Sequence, residues 1–321
     1  MLRRTLLSAA LLSSLTLAAS PAWAEQYPAR PIRMVVPVPP GGGSDAIARV
    51  LAERLGKSMN TSVIVDNRPG AGGMIGSDFV AKSAADGYTI LLINNAFVIN
   101  PWLYKLPYDT MKDFAPVAMV ATSPNVLVAN PALPANNVQQ LLDAAKSKPG
   151  EITVAVSTGQ MSHLATVDLE QTAGIDVQLI PYKGAGAGNI DLLSGVVQLS
   201  FGTAPTYLQQ IKAGKLKALG VGGSTPLESL PGVPTIGETV PGFEAETWFG
   251  LFAPAGTPAP VLEKLRAEVQ SALKTPEMRE RMDKDGYFAG KTQTQAELSA
   301  QLTTELAKWR DVIKNGNVRA E

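Results

Sequence analysis

The sequence contains no cysteine and only one histidine, His163, among its 321 residues. Without cysteine there is neither a disulfide nor a thiol nucleophile. With one imidazole and no thiolate, few side chains are available as ligands of a transition metal or as residues of a histidine-based catalytic triad. We therefore expect no metal and no other cofactor, and the composition favours a binding protein over an enzyme.

The chain also lacks an excess of charge of either sign, since it has 28 basic and 28 acidic residues. Such a balance argues against a nucleic acid or an anionic membrane surface as the partner. We expect a monomer that binds a small molecule.

Long hydrophobic runs are scarce, and the one near the start is short. Leu6–Ala19 follows Arg3 and Arg4, and it is shorter than the roughly 20 residues that a membrane span needs. It precedes Ala22-Trp23-Ala24, which has the form of an A-x-A cleavage site. We predict a signal peptide over residues 1–24, cleaved after Ala24, and therefore export. Its removal takes away two bases and no acid, so the mature chain has a net charge of −2.

Strands and helices alternate through most of the mature chain, which predicts an α/β fold. The strands are continuous apolar runs, as expected for strands that are covered on both faces. The first five elements predict a βαβαβ unit of parallel strands. They are strand Ile32–Val36, helix 46–59, strand Ser62–Val65, helix 75–84 and strand Thr89–Ile93.

A second α/β unit follows with the same alternation up to residue 221, and the glycine- and proline-rich interval 222–246 is predicted as a long connection. A strand, Phe249–Ala253, and further helices come after it. We expect Thr257 to cap the first of these helices and Pro258 to occupy its first turn. Two extended segments, Val117–Ala121 and Val126–Ala129, precede the second unit.

This order of elements predicts two lobes, each a doubly wound sheet with flanking helices. The late return of a strand and helices indicates that the chain goes back to the first lobe. Lobe 1 would comprise residues 25–124 and 249–321, and lobe 2 residues 125–248. Crossings near Pro124–Val128 and Glu246–Trp248 would form a two-stranded hinge.

Three consecutive glycines, 41–43, follow the first strand and open the first helix. Because they carry no Cβ, several backbone N–H groups can converge on one point, and the helix N-terminus adds a positive partial charge. This pattern predicts an anion pocket made of backbone. Loops 38–45, 94–97, 157–163 and 181–186 all follow strands, where open α/β sheets bind ligands. We expect them to face one cleft and to hold an anion, most naturally a carboxylate.

Side chains in these loops have competing roles. Asp45 either caps its helix, the commoner role at this position, or contacts the ligand. Ser44 and Ser162 can donate hydroxyl hydrogens to a ligand oxygen. His163 either bonds a ligand or is structural, and Lys183 either balances a second carboxylate or is an exposed lysine beside a turn.

Several motifs occur in the order that is typical of one receptor family. The chain resembles the Bug/TctC-type periplasmic solute-binding receptors of tripartite tricarboxylate transporters along its whole mature length. The motifs are Tyr27-Pro28-x-Arg30-Pro31-Ile32, Pro39-Pro40-Gly41-Gly42-x-x-Asp45, Asn67-Arg68-Pro69-Gly70-Ala71-Gly72-Gly73, Asp86-Gly87-Tyr88-Thr89, Ser162-His163-Leu164-Ala165, Pro181-Tyr182-Lys183-Gly184 and Lys212-Ala213-Gly214-Lys215-Leu216.

The resemblance implies a type II-like periplasmic binding protein whose two lobes close on a small ligand. It implies that backbone groups and ordered waters hold one ligand carboxylate, and that a large and a small permease subunit in the inner membrane are the partners. It places ligand loops at 38–45, 94–97, 157–163, 183–184 and 202–204. The ligand-binding residues that we predict are Val38, Pro40, Gly41, Gly42, Gly43, Ser44, Asp45, Asn95, Ala96, Ser157, Thr158, Gly159, Met161, Ser162, His163, Lys183, Gly184 and Thr203.

The chain departs from the family pattern at two of these loops. Gln160-Met161 stands where the family often has a Gly/Ser-rich loop, and Gly202-Thr203 stands where it often has an aspartate. An aspartate there would suit a ligand amine, so its absence favours ligands without a cationic group. Met161 and the small Gly202 would leave room for an apolar or aromatic body. We therefore predict a mono- or dicarboxylate ligand, aromatic acids included.

Two other functions are compatible with the sequence. The protein could be a sensor that presents its ligand to a membrane histidine kinase. It could also be an exported α/β hydrolase, although no Gly-x-Ser-x-Gly nucleophile elbow is present. A hydrolase would need a base, and only His163 or carboxylates are available for that role.

Overall fold

The computed structural model of the protein describes residues 27–41, 43–182, 185–284 and 286–319. The predicted signal peptide lies outside these residues, as do Gly42, Lys183 and Gly184 of the predicted site. Within the described part of the chain, no helix combines the length and the apolar character that crossing a membrane requires.

The described residues form one mixed sheet of ten strands with helices packed against it. The strands are β1 Ile32–Val36, β2 Val63–Asn67, β3 Thr89–Asn94, β4 Phe114–Ala129, β5 Thr153–Ser157, β6 Gln178–Tyr182, β7 Leu199–Thr203, β8 Lys217–Val221, β9 Glu246–Pro254 and β10 Phe288–Ala289. The helices are α1 Gly43–Ser58, α2 Met74–Ala81, α3 Ala96–Leu103, α4 Val138–Ser147, α5 Met161–Ala173, α6 Ala185–Ser194, α7 Ala204–Lys212, α8 Ala259–Lys274, α9 Pro276–Lys284 and α10 Gln295–Asn315. The strand order is β2-β1-β3-β9-β4-β7-β5-β6, and β8 and β10 also pair with β4.

The first half of the sheet contains the predicted βαβαβ unit. β1 pairs in parallel with both β2 and β3, which confirms that prediction. Successive residues of β1 pack into different core clusters, Met34 into one and Val35 into the other. Both faces of β1 are therefore covered, which explains its near-continuous apolar sequence.

β4 crosses from one half of the sheet to the other as a single strand of 16 residues, so the prediction of two separate segments is wrong. Its first part pairs with β9 as far as Pro124↔Glu246, and Asn125–Ala129 pairs with β7. Pro116 lies beside an irregularity in the β4–β9 register, where the missing N–H of proline is tolerated. Pro124 lies at the crossing itself, and the buried apolar residues continue on either side of it.

Two crossings of the chain between the halves lie side by side. The Pro124↔Glu246 pair is followed directly by a hydrogen bond from the Asn125 N–H to the Ala245 carbonyl oxygen, 2.9 Å long. The result is the two-lobed α/β architecture with a two-stranded connection that the order of elements predicted. The limits of the lobes, 25–124 with 249–321 and 125–248, stay a prediction.

The C-terminal helix α10 packs on both halves of the molecule. It contacts α3 of the first half and α5 of the second, and Lys308 of α10 forms an ion pair of 2.8 Å with Asp168 of α5. The apolar face predicted for this helix packs into the core. Its buried members include Leu298, Leu302, Trp309 and Ile313.

Three local predictions differ from the structure. α3, a short helix that contains Pro101, was not predicted. The helix α1 begins at Gly43, three residues before the predicted start, because Gly43, Ser44 and Asp45 already belong to its first turn. Thr257 does not cap α8: the cap residue is Pro258, and the Thr257 hydroxyl donates instead to the Pro254 carbonyl oxygen at 2.7 Å.

Candidate functional site

A cavity of ≈ 830 Å³ opens where strands from both halves of the sheet end. The last residues of β3, β5, β6 and β7 all line it. This is the position at which open α/β sheets bind ligands. The predicted ligand-binding residues that line the cavity are Gly41, Gly43, Ser44, Asn95, Ala96, Ser157, Thr158, Gly159, Met161, Ser162 and Thr203.

Helix N-termini make up much of the cavity wall. Residues at the starts of α1, α3, α5 and α7 line it. Asn95, Gln160 and Thr203, the cap residues of α3, α5 and α7, make no side-chain cap hydrogen bond, whereas the first N–H of α3, that of Ala96, donates to Asn94 Oδ1 at 3.0 Å. Because the N–H groups of a first helical turn have no partner inside the helix, and because the helix dipole is positive at this end, the cavity is suited to an anion.

None of the described residues that line the cavity has a charged side chain. An anion in the cavity would be held by N–H groups, hydroxyls and amides, and no carboxylate in this part of the wall would repel it. In the described part of the wall, the electrostatic potential is therefore set by the partial charges of backbone, hydroxyl and amide groups.

The glycine loop is packed directly against a tyrosine. Gly41 has a φ of 92°, in the left-handed region that favours glycine. A Cβ placed on Gly43 would lie 2.6 Å from the hydroxyl oxygen of Tyr287. Tyr287 meets Phe249 edge to face, with ring centroids 5.7 Å apart, and both rings line the cavity. These two aromatic residues therefore form the wall that faces the glycine loop.

Asp45 lies buried behind the glycine loop and does not line the cavity. Its Oδ2 accepts hydrogen bonds from the Gly41 N–H and from Arg49 Nε, both 2.9 Å long, and its Oδ1 accepts from Asn67 Nδ2 at 2.9 Å. Burial by itself raises the pKa of Asp45, but the bonds from Arg49, Gly41 and Asn67 outweigh burial and hold that pKa below its usual value. Asp45 is thus an ionised side chain whose described contacts are all with protein groups.

The loop after β5 is braced by two side chains of α5. The Ser157 N–H donates to Ser162 Oγ at 3.0 Å, and the Gly159 N–H donates to His163 Nδ1 at 3.3 Å. Burial lowers the pKa of His163, which favours the neutral ring with Nδ1 as an acceptor. His163 does not line the cavity, whereas Ser162 does. Val38 and Pro40 are the other described predicted residues outside the lining.

Two buried asparagines connect the cavity wall to the crossing strands. Asn95 Nδ2 donates to the Glu246 carbonyl oxygen at 3.2 Å, and Asn95 Oδ1 accepts the Trp248 N–H at 2.9 Å. Asn125 Nδ2 donates to the carbonyl oxygen of Ala245 and to Thr247 Oγ1, each at 3.2 Å. The start of α3 is therefore fixed to β9 by the side chain of Asn95.

The side-chain position of Gly202 is occupied by the ring of Tyr207, whereas the backbone of Gly202 lines the cavity. A Cβ on Gly202 would lie 2.6 Å from Cε2 of Tyr207. The Tyr207 hydroxyl lies 3.0 Å from Ser200 Oγ and holds its ring in this place. The neighbouring wall residue Tyr182 donates to Asp191 at 2.6 Å, a bond that raises the pKa of Tyr182 to about 12 and keeps the phenol neutral.

Several wall residues were not predicted from the sequence. Asn125 and Thr247 lie at the two predicted crossings. Their position at these crossings could have been used to predict that they line the cavity. The aromatic residues come from segments that the strand-end rule does not single out. The unpredicted residues include Tyr104, Asn125, Tyr207, Thr247, Phe249 and Tyr287.

The model of a family described as "Tripartite tricarboxylate transporter family receptor" matches residues 47–318. The chain belongs to this family. Its fold is accordingly that of the periplasmic solute-binding proteins, and the neighbouring structures include periplasmic binding protein BugD.

Similar proteins include two that were solved with a carboxylate. Protein BugT of Bordetella pertussis (strain Tohama I) is 38% identical over 304 residues, which cover 92% of each chain. A protein of R. palustris solved with adipate is 32% identical, with a TM-score of 0.81 over 91% of this chain and 99% of that one. MatC from Rhodopseudomonas palustris, solved with bound malate, is 29% identical, with a TM-score of 0.77 over 89% of this chain and 100% of that one.

Proposed function

We propose that this receptor captures small organic mono- or dicarboxylates, aromatic acids included, in the cavity between the two halves of its sheet. The observation that carries the proposal is the meeting of four helix N-termini at a cavity whose described lining has no charged side chain. The relatives solved with adipate and with malate support a dicarboxylate.

The physical argument rests on charge-assisted hydrogen bonds. A carboxylate oxygen accepts hydrogen bonds from backbone N–H groups. Such bonds are roughly twice as strong as hydrogen bonds between neutral groups. A few such bonds, with the release of water from the walls, are sufficient for a micromolar dissociation constant. That constant corresponds to a standard free energy of binding of about −8 kcal/mol. A bound acid would contact loops of both halves and so favour a closed arrangement of the two proposed lobes. Lobe 1 comprises residues 25–124 and 249–321, and lobe 2 comprises residues 125–248.

Isothermal titration calorimetry of mature chain 25–321 with adipate, malate, citrate, terephthalate and aspartate tests the proposal. At least one acid without an amine should bind with a dissociation constant of about 10 µM or lower. Dimethyl adipate, which has the same carbon chain and no carboxylate, is the matched control and should not bind.

The absence of both heat and a shift in melting temperature with every acid would overturn the proposal. Tight binding of aspartate alone would overturn the expectation that the ligand has no cationic group.

We further propose that the protein is cleaved after Ala24, acts in the periplasm and delivers its ligand to a large and a small permease subunit in the inner membrane. Membership of the family supports this placement. N-terminal sequencing of the protein from a periplasmic extract should start at Glu25. Deletion of the gene should abolish uptake of the bound acid; unchanged uptake with a lost transcriptional response would instead indicate a sensor.

We assign no catalytic step to the cavity. Of the bases available to a hydrolase, His163 has Nδ1 bonded to the Gly159 N–H and lies outside the lining, and the described lining residues include no carboxylate. Mass spectrometry should recover the bound acid unchanged after incubation with the protein. A processed product that is lost in His163→Ala would overturn this assignment.

A further inference from the structure

A buried negative charge lies directly behind the loop that is proposed to hold an anion. Asp45 is only 4% exposed, and its carboxylate is one hydrogen bond away from Gly41, a residue of the cavity lining. A carboxylate at this position repels a ligand carboxylate, and it does so over a short distance through a region of low dielectric constant. The chain must therefore either neutralise Asp45 or lose affinity for acids.

Arg49 provides that neutralisation from the next turn of α1. Its Nε donates to Asp45 Oδ2 and its Nη2 lies 2.9 Å from Asp45 Oδ1, so the guanidinium contacts both oxygens. This two-point geometry fixes the carboxylate as well as cancelling its charge. The Arg49 side chain is 53% exposed and is not part of the cavity lining, so it acts on Asp45 and not on the ligand.

Asn67, the last residue of β2, completes the arrangement. Its Nδ2 donates both to Asp45 Oδ1 at 2.9 Å and to the Val38 carbonyl oxygen at 3.1 Å. Arg49 Nη2 in turn donates to Asn67 Oδ1 at 3.1 Å. Val38 is thereby bonded to Asn67 and Gly41 to Asp45, and Arg49 bonds both of these side chains.

We propose that Asp45, Arg49 and Asn67 form a positioning unit that holds Val38 and Gly41 against the first turn of α1, and that Arg49 also shields the bound acid from the charge of Asp45. This inference rests on the proposed function, because it assumes that the loop holds a carboxylate. It makes Arg49 a determinant of affinity for anions although Arg49 does not touch the ligand.

The test is a set of variants titrated with the acid that the native chain binds best. Arg49→Gln leaves Asp45 without its counter-charge, so its dissociation constant should rise about tenfold at low salt and by less at high salt, since salt screens the repulsion. The double variant Arg49→Gln with Asp45→Asn removes both charges and should recover most of that loss. Lys57→Gln removes an equal charge from the far end of α1, where Lys57 pairs with Glu53, and should bind like the native chain.

The outcomes separate the two proposals. If the native chain binds no acid, the proposed function fails and this inference fails with it. If the native chain binds and Arg49→Gln is within twofold of Lys57→Gln, this inference alone is overturned. If the double variant keeps the stronger salt dependence of Arg49→Gln, with its melting temperature unchanged, the shielding role is overturned. If Arg49→Gln does not fold, Arg49→Lys takes its place, because lysine keeps the charge and loses the two-point contact. Arg49→Lys should bind the acid more weakly than the native chain does, with the same salt dependence. Native affinity in Arg49→Lys would overturn the positioning role.

Discussion

At the scale of single residues, the contact between Gly43 and Tyr287 limits what the first ligand loop can contain. Gly43→Ala places a Cβ 2.6 Å from the Tyr287 hydroxyl oxygen, a separation that forces the loop or the ring to move. A displaced loop no longer directs its N–H groups as in the native chain, so we expect acid binding to weaken by a few-fold to about tenfold. Calorimetric titration of the variant with the best ligand measures the change.

Tyr287→Phe provides the matched background for this substitution. It removes the atom that the new methyl group would strike, and the next atom of the ring, Cζ, is 3.7 Å away. Gly43→Ala should therefore be nearly neutral when it is introduced into Tyr287→Phe. An equal loss of affinity in both backgrounds contradicts the steric explanation.

His163 links the stability of the fold to pH. Burial lowers the pKa of His163 below its ordinary value of 6.5, so the unfolded chain takes up the proton at a higher pH than the folded chain does. The free energy of unfolding should then increase as pH rises from the lowered pKa towards about 6.5, and this contribution is lost below that window. In the protonated ring, Nδ1 can no longer accept the Gly159 N–H.

Replacement His163→Gln isolates this effect, because glutamine does not titrate and retains an acceptor oxygen. Urea unfolding of both proteins at about pH 5 and pH 7.5 gives the two pH dependences. Burial raises the pKa of Glu246 and of Glu305, so these two groups make the free energy of unfolding decrease as pH rises. They do so in both proteins. The effect of His163 is therefore the difference between the two pH dependences. Identical pH dependences would count against a role for His163.

At the scale of elements, one side chain fixes helix α3 to the crossing strand β9. Asn95→Ala removes the acceptor of the Trp248 N–H and the donor to the Glu246 carbonyl oxygen. A buried group left without its partner costs about 1–3 kcal/mol, so the free energy of unfolding should fall by that amount. Asn136→Ala, at an exposed asparagine, should change it by less than about 0.5 kcal/mol. Equal urea midpoints for the two variants would contradict this role for Asn95.

The regular elements were predictable where local sequence determines them. β1, β2 and β3 are short apolar runs separated by glycine- and proline-containing segments, and the apolar face of α10 repeats at helical spacing. β4 was not predicted as one strand because its two prolines read locally as breaks. Only its pairing with β9 and β7 shows that the missing N–H groups are tolerated. α3 gave no signal because it is short and contains Pro101.

The cavity was predictable on the side that strand ends provide and not on the opposite side. Ser157, Ser162 and Gly43 follow strands and open helices, a local pattern that the sequence displays. Tyr287 and Phe249 reach the cavity because the chain returns to the first half of the sheet. Which residues of a returning segment face a cavity depends on tertiary packing, and no periodicity in the sequence encodes it.

At the scale of the whole molecule, β4 and β9 are the strands through which the proposed lobes are joined. Lys57→Cys with Lys212→Cys places one label in each lobe, and the chain has no other cysteine to compete for the label. We expect the spin-label distance measured by pulsed electron resonance to change when the best acid is added. Lys57→Cys with Lys274→Cys lies within lobe 1 and should keep one distance. A constant distance in both pairs, with binding intact, would contradict closure.

Because main-chain groups contribute to the wall, the shape of ligand that it accepts and its capacity to bind a negative group can change independently. Every residue except proline keeps its amide hydrogen whatever its side chain, so substitutions around this cavity change the shape that is accepted without removing the donors that hold an acid. Copies of such a gene can therefore diverge in the carbon skeleton they select within a few mutational steps, while each retains the capacity to hold a negative group.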